Sequence, residues 1–115
     1  MAEEFDREYA LELLGGDKDL LREILGLFLD DAPRLVSRMA WALEHSDGPI
    51  LKRQAHTMAG VAGNFGLPTV VKAARIIESE ASEGPTSRAR EAFGVLQEVL
   101  ASVRSTLLDA SRACP

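Results

Sequence analysis

His56 stands in the run Ala55-His56-Thr57-Met58-Ala59-Gly60-Val61-Ala62-Gly63-Asn64-Phe65-Gly66. On a helical wheel at about 100° per residue, Leu51, Ala55, Met58 and Ala62 share one narrow apolar stripe with Phe65 near its edge. His56 lies roughly 130° from the centre of that stripe, so its imidazole points to solvent. Lys52 and Arg53 lie one turn before it, Gly60 one turn after and Gly63 two turns after. A glycine inside a helix costs about 1 kcal/mol relative to alanine, and its use is to let another molecule approach the backbone closely. A neutral imidazole nitrogen is a nucleophile near neutral pH, and the two cations suit an anion placed on it. Phosphate is the natural anion, with another macromolecule reaching His56 over the glycines. The same residues also admit a structural reading: a surface histidine, Gly63 serving helix packing, and Lys52 and Arg53 as a solvated face.

Other candidates for chemistry are weaker. His45 falls at a helix end, where a cation suits the macrodipole, and reads as structural. Asp30-Asp31 reads as a cap and Glu78-Glu80 as a solvated face, while Trp41, Tyr9 and the methionines read as core or partial core. There is no P-loop or Rossmann glycine motif, no zinc-protease His-Glu pair and no nucleophile elbow.

The elements that must position His56 are set by breaker residues. The expected helices run over about residues 5–14, 17–30, 32–46, 49–64, 68–82 and 86–110. Gly15-Gly16 stops the first and Asp17 caps the second; Asp30, Asp31 and Pro33 mark a new start or a bend. Ser46-Asp47-Gly48-Pro49 opens the histidine helix, and Phe65-Gly66-Leu67-Pro68 and Glu83-Gly84-Pro85-Thr86-Ser87 separate the last two. No stretch alternates as a half-buried strand does. The expectation is an all-α, antiparallel up-down-up-down four-helix bundle with short extra N-terminal helices packed across one end or extending the second helix.

Composition narrows the function classes. The 115 residues suit one domain, and 46% hydrophobic residues with only 5% aromatics predict an aliphatic core. A net charge of −5 without a lysine-rich block disfavours nucleic acids and anionic membranes. Cys114, the single cysteine, excludes an internal disulfide and a multi-cysteine zinc site. No apolar run approaches the roughly 20 residues of a membrane span, and the acidic start lacks a signal peptide's apolar segment. A soluble cytoplasmic protein that works as a monomer is expected; the start at Met1 suits a standalone chain and equally a domain cut from a larger protein.

In detail the residues resemble the histidine-containing phosphotransfer (HPt) domains of bacterial phosphorelays. The pattern of that family reads here as Ala55-His56-Thr57-Met58-Ala59-Gly60, then Asn64-Phe65-Gly66, then Ile77-Glu78, and the N-terminal half is also similar. The resemblance implies that His56 accepts a phosphoryl group through Nε2 from a receiver-domain phospho-aspartate and passes it to the aspartate of another receiver. It further implies that Thr57, Ala59, Gly60 and Gly63 lie where a receiver docks and that Asn64 and Gly66 are structural; Lys52 and Arg53, by their own placement a turn before His56, are expected to support the phosphate charge, Lys52 foremost. Receiver domains and a hybrid sensor kinase are the implied partners. The chain would be a phosphocarrier rather than an enzyme, with no metal or cofactor of its own and Mg2+ only in the receiver. One position departs from the family. A lysine usually follows the histidine by three residues, and here Ala59 stands there. The alternative function is a non-phosphorylated adaptor that docks on a receiver or kinase.

Overall fold

A computed structural model describes residues 5–83 and 85–112, with side chains described through residue 109. Residues 1–4, Gly84 and Cys114 lie outside the described residues, and with them the readings placed on the acidic start and the lone thiol. Five α-helices and one 3-10 turn make up the described chain: α1 (Arg7–Leu13), α2 (Lys18–Glu44), α3 (Gly48–Gly63), α4 (Pro68–Glu80), the turn Ala81–Glu83, and α5 (Ser87–Arg112).

The helix starts follow capping chemistry. The Asp6, Asp17 and Asp47 carboxylates accept the backbone N–H of Tyr9, Leu20 and Ile50 at 2.9, 3.0 and 3.1 Å. The Thr86 hydroxyl accepts the Ala89 N–H at 3.1 Å and donates to Glu80 at 2.8 Å, tying the start of α5 to the end of α4. Asp47 heads the helix that carries His56. An Asp47→Ala chain should lose about 1 kcal/mol of stability in urea unfolding, because one N-terminal donor of α3 loses its partner.

The bundle itself comes from α2, α3, α4 and α5. Each packs on the next, and α5 returns to pack on α2. The all-α bundle expected from the sequence is what forms, but one boundary is corrected. The expected break between 17–30 and 32–46 does not exist, since α2 runs unbroken through Pro33. Asp30-Asp31 is therefore no cap; both residues are exposed mid-helix. A proline inside a helix removes one hydrogen bond and crowds the preceding turn. Packing outweighs that penalty here. Leu21, Leu25, Phe28, Ala32, Leu35, Met39 and Ala42 are all buried, and their alternating steps of four and three continue across Pro33, which faces solvent. The first half of this helix is the N-terminal piece that extends the bundle.

The core is mostly aliphatic, but its end beneath the α3–α4 turn is aromatic. Phe65 is buried between Phe28, with ring centroids at 5.1 Å, and Phe5, at 6.0 Å. Gly66 completes that turn at φ +65°, a conformation glycine adopts without penalty. Trp41 and Tyr9 are not core residues: they are 47% and 43% exposed. Trp41 instead stacks on His45 at 4.2 Å, whose Nδ1 lies 2.9 Å from the Trp41 carbonyl oxygen, so His45 closes the end of α2. No described polar side chain is buried without a partner.

Candidate functional site

α3 and α4 lie antiparallel, and their seam is where the site forms. His56 projects from α3 with 68% of its side chain exposed. Its Nδ1 sits 2.9 Å from Oε2 of Glu78 on α4, twenty-two residues along the chain. Glu78 is held lower in the seam, at 21% exposure, because the preceding Ile77 is fully buried and anchors that face of α4. The other Glu78 oxygen, Oε1, accepts from Arg75 Nη1 at 3.4 Å. The chain of contacts is Arg75 to Glu78 to His56.

The Glu78 contact fixes the chemistry of the ring. A carboxylate accepts hydrogen bonds, so the proton of a neutral imidazole belongs on Nδ1. Nε2 then carries the lone pair and faces solvent. A carboxylate behind the ring also stabilises the positive charge that develops when Nε2 forms a new bond. Glu78 was read from the sequence as part of a solvated face, and that reading is corrected. Glu80 is not a solvated residue either, since it accepts from Thr86 and lies 3.7 Å from Arg88.

The residues expected around His56 separate into groups. Gly60 is exposed one turn above it, and a Cβ added there would meet nothing within 4 Å. Packing inside the chain therefore does not require this glycine, and the space above it is open to another molecule. Thr57 is exposed and its hydroxyl donates back to the Arg53 carbonyl at 3.1 Å. Lys52 and Arg53 are exposed, and among the described residues no ion pair engages either side chain. Lys52 lines a surface hollow with Ala81 and Ser82, a turn below the histidine. Arg53 falls on the flank of α3 away from Glu78, about 60° around from His56.

Gly63 is half-buried, and a Cβ there would reach Val71 Cγ2 at an ordinary 4.0 Å. It borders an open hollow with Tyr9, Pro68, Val71 and Lys72. Asn64 is exposed and ends α3 with helical backbone angles, its N–H bonded to the Val61 carbonyl at 3.1 Å. Ala59 departs from its expected place on the docking surface. It is 2% exposed, packed in the core beside Ala55 and Ala62, because a residue three after His56 rotates about 60° toward α4.

Sequence reasoning missed Arg75 and the contact role of Glu78. The signal for Glu78 was the Ile77-Glu78 pair, a buried apolar residue followed by a carboxylate; Arg75 had no signal of its own. No cluster of three metal-ligating side chains occurs among the described residues, and no helix there is long and apolar enough to cross a membrane.

No curated protein matches the chain in sequence. The crystal structure of histidine-containing phosphotransfer protein B (HptB) from Pseudomonas aeruginosa PAO1 is similar in fold, with a TM-score of 0.84 over 96% of each chain at 22% identity. A family model, the Hpt domain, matches residues 23–106, a span that holds His56, Gly60, Arg75 and Glu78. By that match the chain belongs to the Hpt family, the histidine phosphotransfer domains of phosphorelay signalling.

Proposed function

We propose that His56 is the phosphoryl carrier of this chain. The observation that carries the reading is the exposed ring with Nδ1 on Glu78, which leaves Nε2 as the nucleophile. The Nε2 lone pair attacks the phosphorus of a receiver's aspartyl phosphate. The P–N bond forms, the P–O bond to the aspartyl oxygen breaks, and the carboxylate leaves as the anion. The Nδ1 proton stays in place, and the cationic ring faces Glu78. In the second half the carboxylate of another receiver attacks the same phosphorus, the P–N bond breaks and its electron pair returns to Nε2. Positioning and charge dominate such transfers, so little covalent work falls to the bundle. The Mg2+ ion and the acidic pocket belong to the receiver in this reading, and the carrier is monomeric and cytoplasmic. A hybrid sensor kinase supplies the first phosphoryl group through its receiver.

The direct experiment mixes the purified chain with a phosphorylated receiver domain and follows phosphoryl uptake on a phosphate-affinity gel. The expected product is acid-labile and alkali-stable, as a phosphoramidate is. A chain that binds receivers yet takes up no phosphoryl group from any of several would favour the adaptor instead. Gly60 gives a second expectation with opposite signs. Gly60→Ala should raise stability by up to about 1 kcal/mol, since the new methyl group meets open space. It should slow uptake severalfold, because that methyl stands where the receiver approaches. Urea unfolding and initial uptake rates check the two halves separately.

A further inference from the structure

The lysine that the resembled family places on α3 has no counterpart at Ala59, yet a cation stands level with that position on the neighbouring helix. His56 meets Glu78, and seven residues further up α3 Gly63 faces Val71, seven residues down α4. The two helices therefore run in antiparallel register with equal rise. Ala59, three residues above His56, is level with Arg75, three residues before Glu78. Ala59 is small and buried beneath α4, so no charged side chain projects from α3 at that level. Arg75 is already at the site through its 3.4 Å contact with Glu78, and its side chain is 58% exposed and able to swing. The same register puts Lys52 level with Ser82, whose hollow it lines, about 6 Å along the axis on the other side of the histidine.

We infer that Arg75 is the cation that meets the phosphoryl group on His56, acting from α4 in place of a lysine on α3. The inference rests on the carrier role of His56 and adds the group that balances its charge. Without phosphate, the guanidinium offsets the Glu78 carboxylate. Once Nε2 is phosphorylated, Glu78 is engaged by the cationic ring, and Arg75 turns to the phosphoryl oxygens, which a planar guanidinium can grip with two N–H donors. The assignment moves the supporting role away from Lys52 and Arg53.

Uptake from a phosphorylated receiver tests this with Arg75→Ala, Arg75→Lys and Lys52→Ala beside the unaltered chain. Arg75→Ala should slow uptake and shorten the phosphohistidine half-life by roughly 3–10-fold, a modest factor because the cation is exposed and screened. Arg75→Lys should recover most of the loss, Lys52→Ala should lie within about twofold of the unaltered chain, and the Arg75→Ala deficit should shrink in high salt. Nitrogen NMR of the unphosphorylated ring should show Nδ1 still protonated in Arg75→Ala. Unchanged uptake and half-life in Arg75→Ala would overturn the inference while leaving the carrier role intact. A lost Nδ1 proton would also overturn it, because Arg75 would then act by positioning Glu78. If the unaltered chain takes up nothing, the carrier role fails first and this assignment falls with it.

Discussion

A His56→Gln chain should take up no phosphoryl group from a receiver that phosphorylates the unaltered protein, and the loss should be complete rather than partial. The sequence holds two histidines, so a remnant from His45 has to be considered. Its ring is stacked on Trp41 at 4.2 Å and its Nδ1 is 2.9 Å from the Trp41 carbonyl oxygen. No carboxylate is paired with it among the described residues, and it closes the end of α2 rather than facing the α3–α4 seam. The substitution should not disturb the bundle. His56 is exposed, glutamine is at least as good a helix former, and surface changes of this kind stay within about 0.5 kcal/mol. An unfolding curve matching the unaltered chain, together with absent uptake on the phosphate-affinity gel, is the expected pair of results.

Removing Glu78 should have the next largest effect. In Glu78→Ala the ring loses the acceptor that holds the proton on Nδ1, so Nε2 carries the lone pair only part of the time and the ring is free to turn. The developing positive charge on the imidazole also loses its counter-charge. Partners that orient a metal-ligating histidine are worth about 10- to 100-fold and the buried carboxylate of a Ser-His-Asp triad about 10⁴-fold, and the exposed ring here belongs with the smaller range. A fall of about 10- to 100-fold in uptake rate is therefore expected, with receiver binding retained. Glu78→Gln separates the two contributions. Its amide oxygen can still accept from Nδ1 but brings no charge, so its rate should fall between those of the other two chains. Equal rates for all three would mean that the 2.9 Å contact has no part in the transfer.

Much of the frame was legible because it depends on neighbours in sequence. The Asp17 cap, the Gly15-Gly16 stop and the helix start within Ser46-Asp47-Gly48-Pro49 act within a few residues, and each lies where the local rules put it. The outward direction of His56 followed from the spacing of Leu51, Ala55, Met58 and Ala62 alone. Pro33 shows where local rules mislead. Its own residue type says break, while the buried positions before and after it form one unbroken apolar seam that only the whole bundle rewards. The wheel also under-read Ala59, since a methyl group weighs little in a hydrophobic stripe yet fits tightly beneath α4.

The site was legible only in its first member. The position of Glu78 against His56 depends on the register of α4 along α3, which is set by the length of the turn after Asn64 and by Phe65 seating between Phe5 and Phe28. Neither fact is visible from residue spacing within one helix. Arg75 is further removed, since it enters through Glu78. Exposure of Trp41 and Tyr9 is a similar case: large rings favour burial on average, and only the assembled surface shows that these two remain outside.

The most direct test of the account is the position of phosphorus on the ring. Nitrogen-15 labelling of the two histidines, with phosphorus-coupled NMR before and after phosphorylation by a receiver, reads it without a substitution. His56 should begin with its proton on Nδ1 and then show phosphorus coupling at Nε2 while Nδ1 keeps its proton. Coupling at Nδ1 of His56, or on His45, would contradict it.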